Sequence, residues 1–168
     1  MSFEIERKFL VKENSWRAKG EGILYRQGYL SLKKEHVVRV RIIGDKGYLT
    51  IKSKSQGASR IEFEYEIPFQ DAQYMLEHLC EKPLIEKKRY KIEEKGLLWE
   101  IDEFFNENEG LILAEVEISS ENQTIDLPAW IDKEVTGQPK YYNSNLIKNP
   151  YKTWKSVKKS QEPKISPP

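Results

Sequence analysis

The chain has 168 residues, enough for one domain with a sizeable core. Its 28 Lys and Arg against 27 Asp and Glu leave a formal charge of +1, so no overall field draws it to nucleic acid or to a membrane surface, although 33% of its residues are charged against about 25% in an average soluble domain. The single Cys80 excludes an internal disulfide; acidic Glu4 and Glu6 stand where a secretion signal needs basic and then apolar residues, no apolar run reaches membrane-spanning length, and a cytoplasmic protein is expected.

The first strand is expected from Glu4 through Val11. Side chains alternate between the faces of a strand, which puts Glu4, Glu6 and Lys8 on one side and Ile5 and Phe9 on the other. Glu13 to Lys19 reads as a short helix or turn with Asn14 or Ser15 as cap and Trp16 as a buried anchor, ended by Gly20 and Gly22. Ile23 to Leu32 is rich in strand formers, with Gly28 expected to mark a bulge. From Val37 the alternation sharpens: Arg39 and Arg41 oppose Val38, Val40 and Ile42. Gly44 to Gly47 reads as a hairpin loop, and the returning strand sets Thr50, Lys52 and Lys54 against Leu49 and Ile51. After a loop at Gln56 to Ser59, Glu62, Glu64 and Glu66 oppose Ile61, Phe63, Tyr65 and Ile67.

Gln70 to Cys80 is the best helix, with Asp71 in its first turn and Ala72, Met75, Leu76 and Leu79 as an apolar stripe; Lys82-Pro83 closes it. Lys87, Arg89 and Lys91 then share a strand face. Beyond the Lys95-Gly96 turn, Glu100 and Asp102 oppose Leu97, Trp99 and Ile101. Asn106 to Gly110 forms a polar loop, and Glu115 and Glu117 oppose Val116 and Ile118. Helical turns are expected at Trp130 to Val135 and Asn143 to Lys148, with Tyr151, Trp154 and Val157 on the apolar face of a last helix. Residues 1–157 read as one domain and 158–168 as a polar tail.

A solvated sheet face explains one such strand. It does not explain strand after strand of one-sign blocks, acid or base, each backed by apolar residues. The expected fold is α+β, mainly β: a closed, tunnel-like antiparallel barrel of about eight strands, polar inside and apolar outside, flanked by a few helices. Buried charges are costly unless paired, so the interior calls for a ligand that satisfies both signs. A polyphosphate offers anionic oxygens to Arg and Lys and brings divalent cations to the carboxylates.

The residues that carry this pattern also carry a resemblance. Glu4-x-Glu6-x-Lys8 near the N-terminus, followed in order by Arg39-x-Arg41, Lys52, Glu62-x-Glu64, Lys87-x-Arg89, Asp102 and Glu115-x-Glu117, resembles the CYTH superfamily, the triphosphate tunnel metalloenzymes, over most of the chain. The resemblance implies hydrolysis or rearrangement of a triphosphate in an eight-stranded tunnel with Mg²⁺ or Mn²⁺ as cofactor. It implies Glu4, Glu6 and Glu117, with Glu115, as metal ligands. Glu62, Glu64 and Asp102, with Lys52, form the catalytic group, holding a second metal or orienting the attacking water. Lys8, Arg39, Arg41, Lys52, Lys87 and Arg89 bind the phosphates, the Arg forks in bidentate fashion. Lys54, Glu66, Lys91 and Glu100 extend the same faces toward the tunnel mouths.

Inorganic triphosphate is the expected substrate, as for compact bacterial members. Thiamine triphosphatase, class IV-type adenylate cyclase and a non-catalytic polyphosphate- or nucleotide-binding module are the alternatives, and a homodimer is left open. His36 and His78 lack metal-ligand spacing, Cys80 reads as a small hydrophobe, and Trp16, Trp99 and Trp130 read as core anchors.

Overall fold

Among the described residues, 1–154 of a computed structural model, nine antiparallel strands and one α-helix carry the fold. The strands are β1 (Ser2–Val11), β2 (Gly22–Ser31), β3 (His36–Ile43), β4 (Lys46–Ser53), β5 (Ser59–Ile67), β6 (Ile85–Glu94), β7 (Leu97–Phe104), β8 (Ile112–Glu117) and β9 (Ile131–Glu134); α1 spans Phe69–His78. They run in the order β5-β4-β3-β2-β6-β7-β8-β1, and β1 pairs back onto β5, which closes a barrel. No helix among these residues is long and apolar enough to cross a membrane.

The closure determines what β9 does. One edge of β1 pairs with β8 over Glu6 to Leu10, while the other pairs with β5 only from Ser2 to Ile5. The backbone groups beyond Ile5 on that second edge still need partners. Ala58 O accepts from Glu6 N, and β9 then takes over beside Phe9 and Val11. The helical turn expected at Trp130 to Val135 is therefore a strand. Buried Ile131 and Val135 sit four residues apart, a spacing that fits either structure, and the open edge of β1 decides between them.

Other expectations shift for equally local reasons. The hairpin between β3 and β4 keeps only Gly44 and Asp45 as its turn, because Lys46 and Gly47 already belong to β4. Gly28 makes no bulge; the register of β2 against β3 slips between Tyr29 and Ser31 instead. A Cβ at Gly28 would meet Cys80 Cβ and Leu84 Cδ2 at 2.8 Å, so this glycine admits the segment after α1. Neither Asn14 nor Ser15 caps the turn at Ser15–Lys19. The Glu13 carboxylate accepts from Ser15 N at 3.1 Å, while Trp16 Nε1 donates to Glu13 O at 2.6 Å. Leu79 lies past the end of α1 and is exposed, leaving Ala72 and Leu76 as the buried stripe. The turn at Asn143–Leu146 and a helical turn over Tyr151 to Trp154 are present; Val157 and the tail 158–168 lie outside the described residues.

Apolar residues cover the outside of the wall in two patches. Phe9, Trp99, Ile101, Ala114 and Val116 of the wall meet Trp16, Trp130 and Ile131, so the expected short helical turn at Ser15–Lys19 covers this side together with β9, where a second helical turn was expected. Trp99 packs edge-on to Phe9 and Trp130, with ring centroids 5.6 and 5.5 Å away. On the opposite patch, α1 lays Ala72 and Leu76 over Val40 and Ile42. The inside is not polar throughout. Leu10, Tyr29, Ile85, Phe104 and Leu113 share the inward parity of the ionic residues, and they pack with Val135, Tyr141, Leu146 and Ile147. An apolar plug thus fills one end of the barrel.

Gly47 sets how closely α1 approaches the wall: a Cβ there would lie 2.6 Å from Ala72 Cβ and 3.3 Å from Ile67 O. Gly47→Ala should cost about 1–3 kcal/mol through overpacking. Adding Ala72→Gly should recover part of that loss, so that chemical denaturation of the double variant gives less than the sum of the single costs. Strict additivity would show that the two sites do not meet.

Candidate active site

The polar part of the barrel encloses a cavity of about 280 Å³, at or just below the small end of the range of about 300–1,000 Å³ for small-molecule sites. Lys8 from β1, Arg39 and Arg41 from β3, Lys52 from β4 and Lys87 and Arg89 from β6 line it. So do Glu4 and Glu6 from β1, Glu62 and Glu64 from β5, and Glu115 and Glu117 from β8. Strand alternation delivers all of these to one space, because every one has the inward parity of its strand. Glu100 also lines the cavity. Lys54, Glu66 and Lys91 are exposed and stand outside it.

Asp102 is the predicted site residue that does not line the cavity. It is 1% exposed, and both its oxygens are taken: Lys87 Nζ donates to Oδ2 at 2.7 Å, while Arg89 donates from Nε to Oδ1 at 2.8 Å and from Nη2 to Oδ2 at 2.9 Å. Burial disfavours its charge, but Arg89 and Lys87 outweigh that and hold its pKa below the usual carboxylate value. The same contacts hold the Arg89 guanidinium firmly charged against the cost of its own burial. Lys87 fares differently: burial, aided by Arg89, pulls its pKa down to about 7 in spite of Asp102.

The remaining acids stand in pairs. Glu6 has its pKa pushed well up by burial, by the adjacent Glu115 and by Glu4. Glu115 is pushed well down, because Lys8, the hydrogen bond with Glu6 and Arg89 overcome its burial. The proximity of the two carboxylates thus shifts them in opposite directions, Glu6 up and Glu115 down. Glu4 and Glu62 make a second pair, bridged by Lys52 Nζ at 3.3 Å from each. Burial opposes the charge on both; Lys52 keeps Glu4 ionised, while Glu62 is raised by burial and by its hydrogen bond to Glu4. Glu64 accepts from Thr50 Oγ1 at 2.8 Å and lies 3.6 Å from Arg39 and 3.7 Å from Arg41.

Several lining residues carry no ionic pattern and were missed in the sequence. Tyr29 lines the cavity from an inward position of β2, with Tyr25 and Gln27 at the preceding inward positions but outside the lining; a period-two run of Tyr, Gln and Tyr is the available signal. Arg60 lines the mouth and donates to Ser53 O. Thr136, Gly137, Tyr142, Asn143 and Ser144 come from irregular chain with no periodicity to read. This last segment is tied to the barrel's own lysines. Lys8 Nζ donates to Tyr141 O at 3.2 Å, and Asn143 Oδ1 accepts from Lys87 Nζ at 2.9 Å and from Gln27 Nε2 at 3.2 Å.

With this geometry in place, comparison with known proteins is decisive. The profile of the CYTH domain matches residues 2–151. The chain belongs to the CYTH domain family. An inorganic triphosphatase of Acetivibrio thermocellus is 55% identical over 155 residues, covering 92% of this chain and 99% of that protein. An inorganic triphosphatase of Nitrosomonas europaea is 37% identical over 150 residues, covering 85% and 95% respectively. The crystal structure of the inorganic triphosphatase NE1496 superposes with a TM-score of 0.63 at 35% identity, covering 86% of this chain and 97% of that one. A CYTH domain was the resemblance the charged strands implied, and the closed barrel is the fold expected with it.

Lys87 ties the site to stability. Its pKa is about 7 in the folded protein against an ordinary 10.5, so between those values the unfolded chain holds more protons and stability rises with pH on this group's account. Denaturation followed from about pH 7 to about pH 10 should show that slope flattened in Lys87→Met. An unchanged slope would mean that Lys87 keeps its proton in the fold.

Proposed function

We propose that this protein is a divalent-metal-dependent inorganic triphosphatase, cleaving triphosphate to diphosphate and phosphate inside the barrel. The observation that carries this reading is the cavity of about 280 Å³ lined by seven Lys and Arg side chains and seven Glu side chains and stopped at one end by apolar residues. A compact linear polyanion matches its size and its cations. The names of the two triphosphatase relatives, at 55% and 37% identity over most of the chain, support the choice of inorganic triphosphate.

Lys8, Arg39, Arg41, Lys52, Lys87 and Arg89 bind the phosphate oxygens and neutralise the charge that builds on them as the terminal P–O bond breaks. Such transfer depends on positioning and charge stabilisation more than on covalent chemistry. Asp102 aligns Lys87 and Arg89 from behind rather than touching substrate. Glu62 and Glu64 stand on the opposite wall, where a carboxylate can orient the attacking water and accept its proton.

The donor set fits a hard divalent cation. Glu6 and Glu115 are adjacent buried carboxylates, and a cation between them would offset the repulsion that, with burial, raises Glu6. No group of three or more acidic, His or Cys side chains is arranged as a ready-made metal site among the described residues. Glu4, Glu6, Glu115 and Glu117 would hold Mg²⁺ or Mn²⁺, which supplies an activated water and neutralises the phosphates. All these residues lie on one chain, so the reading holds for a monomer or a homodimer, and the lone thiol of Cys80 suits the cytoplasm.

Phosphate release from triphosphate, ATP and thiamine triphosphate, each with Mg²⁺, Mn²⁺ or EDTA, tests this directly. Metal-dependent turnover of triphosphate well above the other two is expected. Binding without turnover of any would identify a binding module, and faster turnover of an organic triphosphate would overturn the substrate. Glu6→Gln, folded by circular dichroism, should lose about 100-fold in turnover; an unaltered rate would remove Glu6 from the site.

A further inference from the structure

We propose that Tyr25 is a positioning residue of this site: its ring is a shared platform that holds the Arg41 and Arg89 guanidinia at a fixed separation. The inference rests on the reading that the cavity receives triphosphate, and it adds a residue that does not itself line the cavity.

Three guanidinia, Arg39, Arg41 and Arg89, meet inside one small barrel, and like charges this close repel. Each needs something to hold it. Arg89 has the Asp102 fork. Arg39 donates to Thr50 Oγ1 at 3.2 Å and lies 3.6 Å from Glu64. Arg41 has much less. Its nearest carboxylate oxygen is on Glu64, at 3.7 Å, its Nε, like that of Arg39, is buried without a hydrogen-bond partner, and burial followed by the charges of Arg39 and Arg89 pulls its pKa down to about 10.

What Arg41 does have is Tyr25. The ring, 5% exposed, has Arg41 Cζ 5.0 Å and Arg89 Cζ 4.9 Å from its centroid. The topology explains why one residue reaches both: β2 pairs with β3, which carries Arg41, on one side and with β6, which carries Arg89, on the other. The electron-rich face of an aromatic ring attracts a cation, and guanidinium stacks on it more readily than ammonium does. A ring near both cations offsets their mutual repulsion without consuming their N–H donors, which a carboxylate would take. Those donors remain for phosphate oxygens. The contact with both guanidinia is made by the face of the ring.

The test compares wild type, Tyr25→Phe and Tyr25→Leu by calorimetric titration with triphosphate, steady-state kinetics with Mg²⁺, and thermal melting. Tyr25→Phe keeps the ring and should retain affinity within about twofold; Tyr25→Leu should bind about tenfold more weakly, with KM raised by a similar factor and kcat changed less. A second comparison is a cycle with Arg41→Ala, whose effect on KM should be smaller in the Tyr25→Leu background than in wild type. If Tyr25→Leu fails to fold, Tyr25→Met carries the same comparison. A leucine variant that melts earlier but binds triphosphate as tightly as wild type would overturn the platform and leave Tyr25 as packing. Wild-type protein that neither binds nor hydrolyses triphosphate would instead overturn the site reading beneath it.

Discussion

Asp102, Lys87 and Arg89 lie together inside the barrel wall, and the rest of the site depends on their being buried as a unit. A carboxylate 1% exposed cannot stay charged without partners, and here two cations from the neighbouring strand occupy both of its oxygens. The pairing of β6 with β7 places Arg89 directly opposite Asp102, and Lys87 reaches it from one inward position along. Removing the carboxylate would leave Arg89 buried without its fork of hydrogen bonds and would take away the contact that holds a proton on Lys87. The register of β6 against β7 and the direction of two cavity-lining side chains are therefore consequences of one contact set, whereas burial lowers the pKa of Lys87 in spite of it.

From that fixed wall the remaining charges fall into two kinds. Some are satisfied within the protein: Lys52 between Glu4 and Glu62, and Glu64 beside Arg39 and Arg41. Others are held by weaker means. Lys8 rests on a backbone carbonyl and the Tyr142 ring, and Arg41 on the Tyr25 ring. Burial and the neighbouring Glu115 push the pKa of Glu6 up. A triphosphate anion and a divalent cation entering together would engage the second kind and loosen the pairs of the first. The near-zero net charge of the chain follows from this arrangement, since each sign answers the other across the cavity.

The ionic part of this was legible in the sequence because a strand's period of two sorts residues by face without reference to neighbours. Arg39-x-Arg41, Glu62-x-Glu64 and Glu115-x-Glu117 each declare an inward face, and the repetition declares a closed sheet. What the period cannot give is depth. Asp102 and Glu100 alternate identically, yet one lies behind the lysine and arginine and the other lines the cavity. Nor does it give the apolar end, where Leu10 and Leu113 hold inward parity without charge. Tyr25 and Tyr29 read as ordinary strand formers, since aromatic residues serve either face equally well. The segment around Tyr142 and Asn143 has no period at all; its place is fixed by hydrogen bonds to Lys8 and Lys87, contacts between residues more than fifty positions apart. β9 was misread for a related reason: the open edge of β1 that recruits it is a tertiary feature.

The central claim is that opposed walls of cations and carboxylates inside one barrel bind a triphosphate. A crystal structure with a non-hydrolysable imido analogue of triphosphate and Mg²⁺ tests it most directly. The account predicts the anion within the barrel, with its oxygens on Arg39, Arg41, Arg89 and the three lysines, and the metal on the side of Glu4 and Glu6. An anion bound only on the outer surface, with the interior ion pairs unchanged, would contradict it.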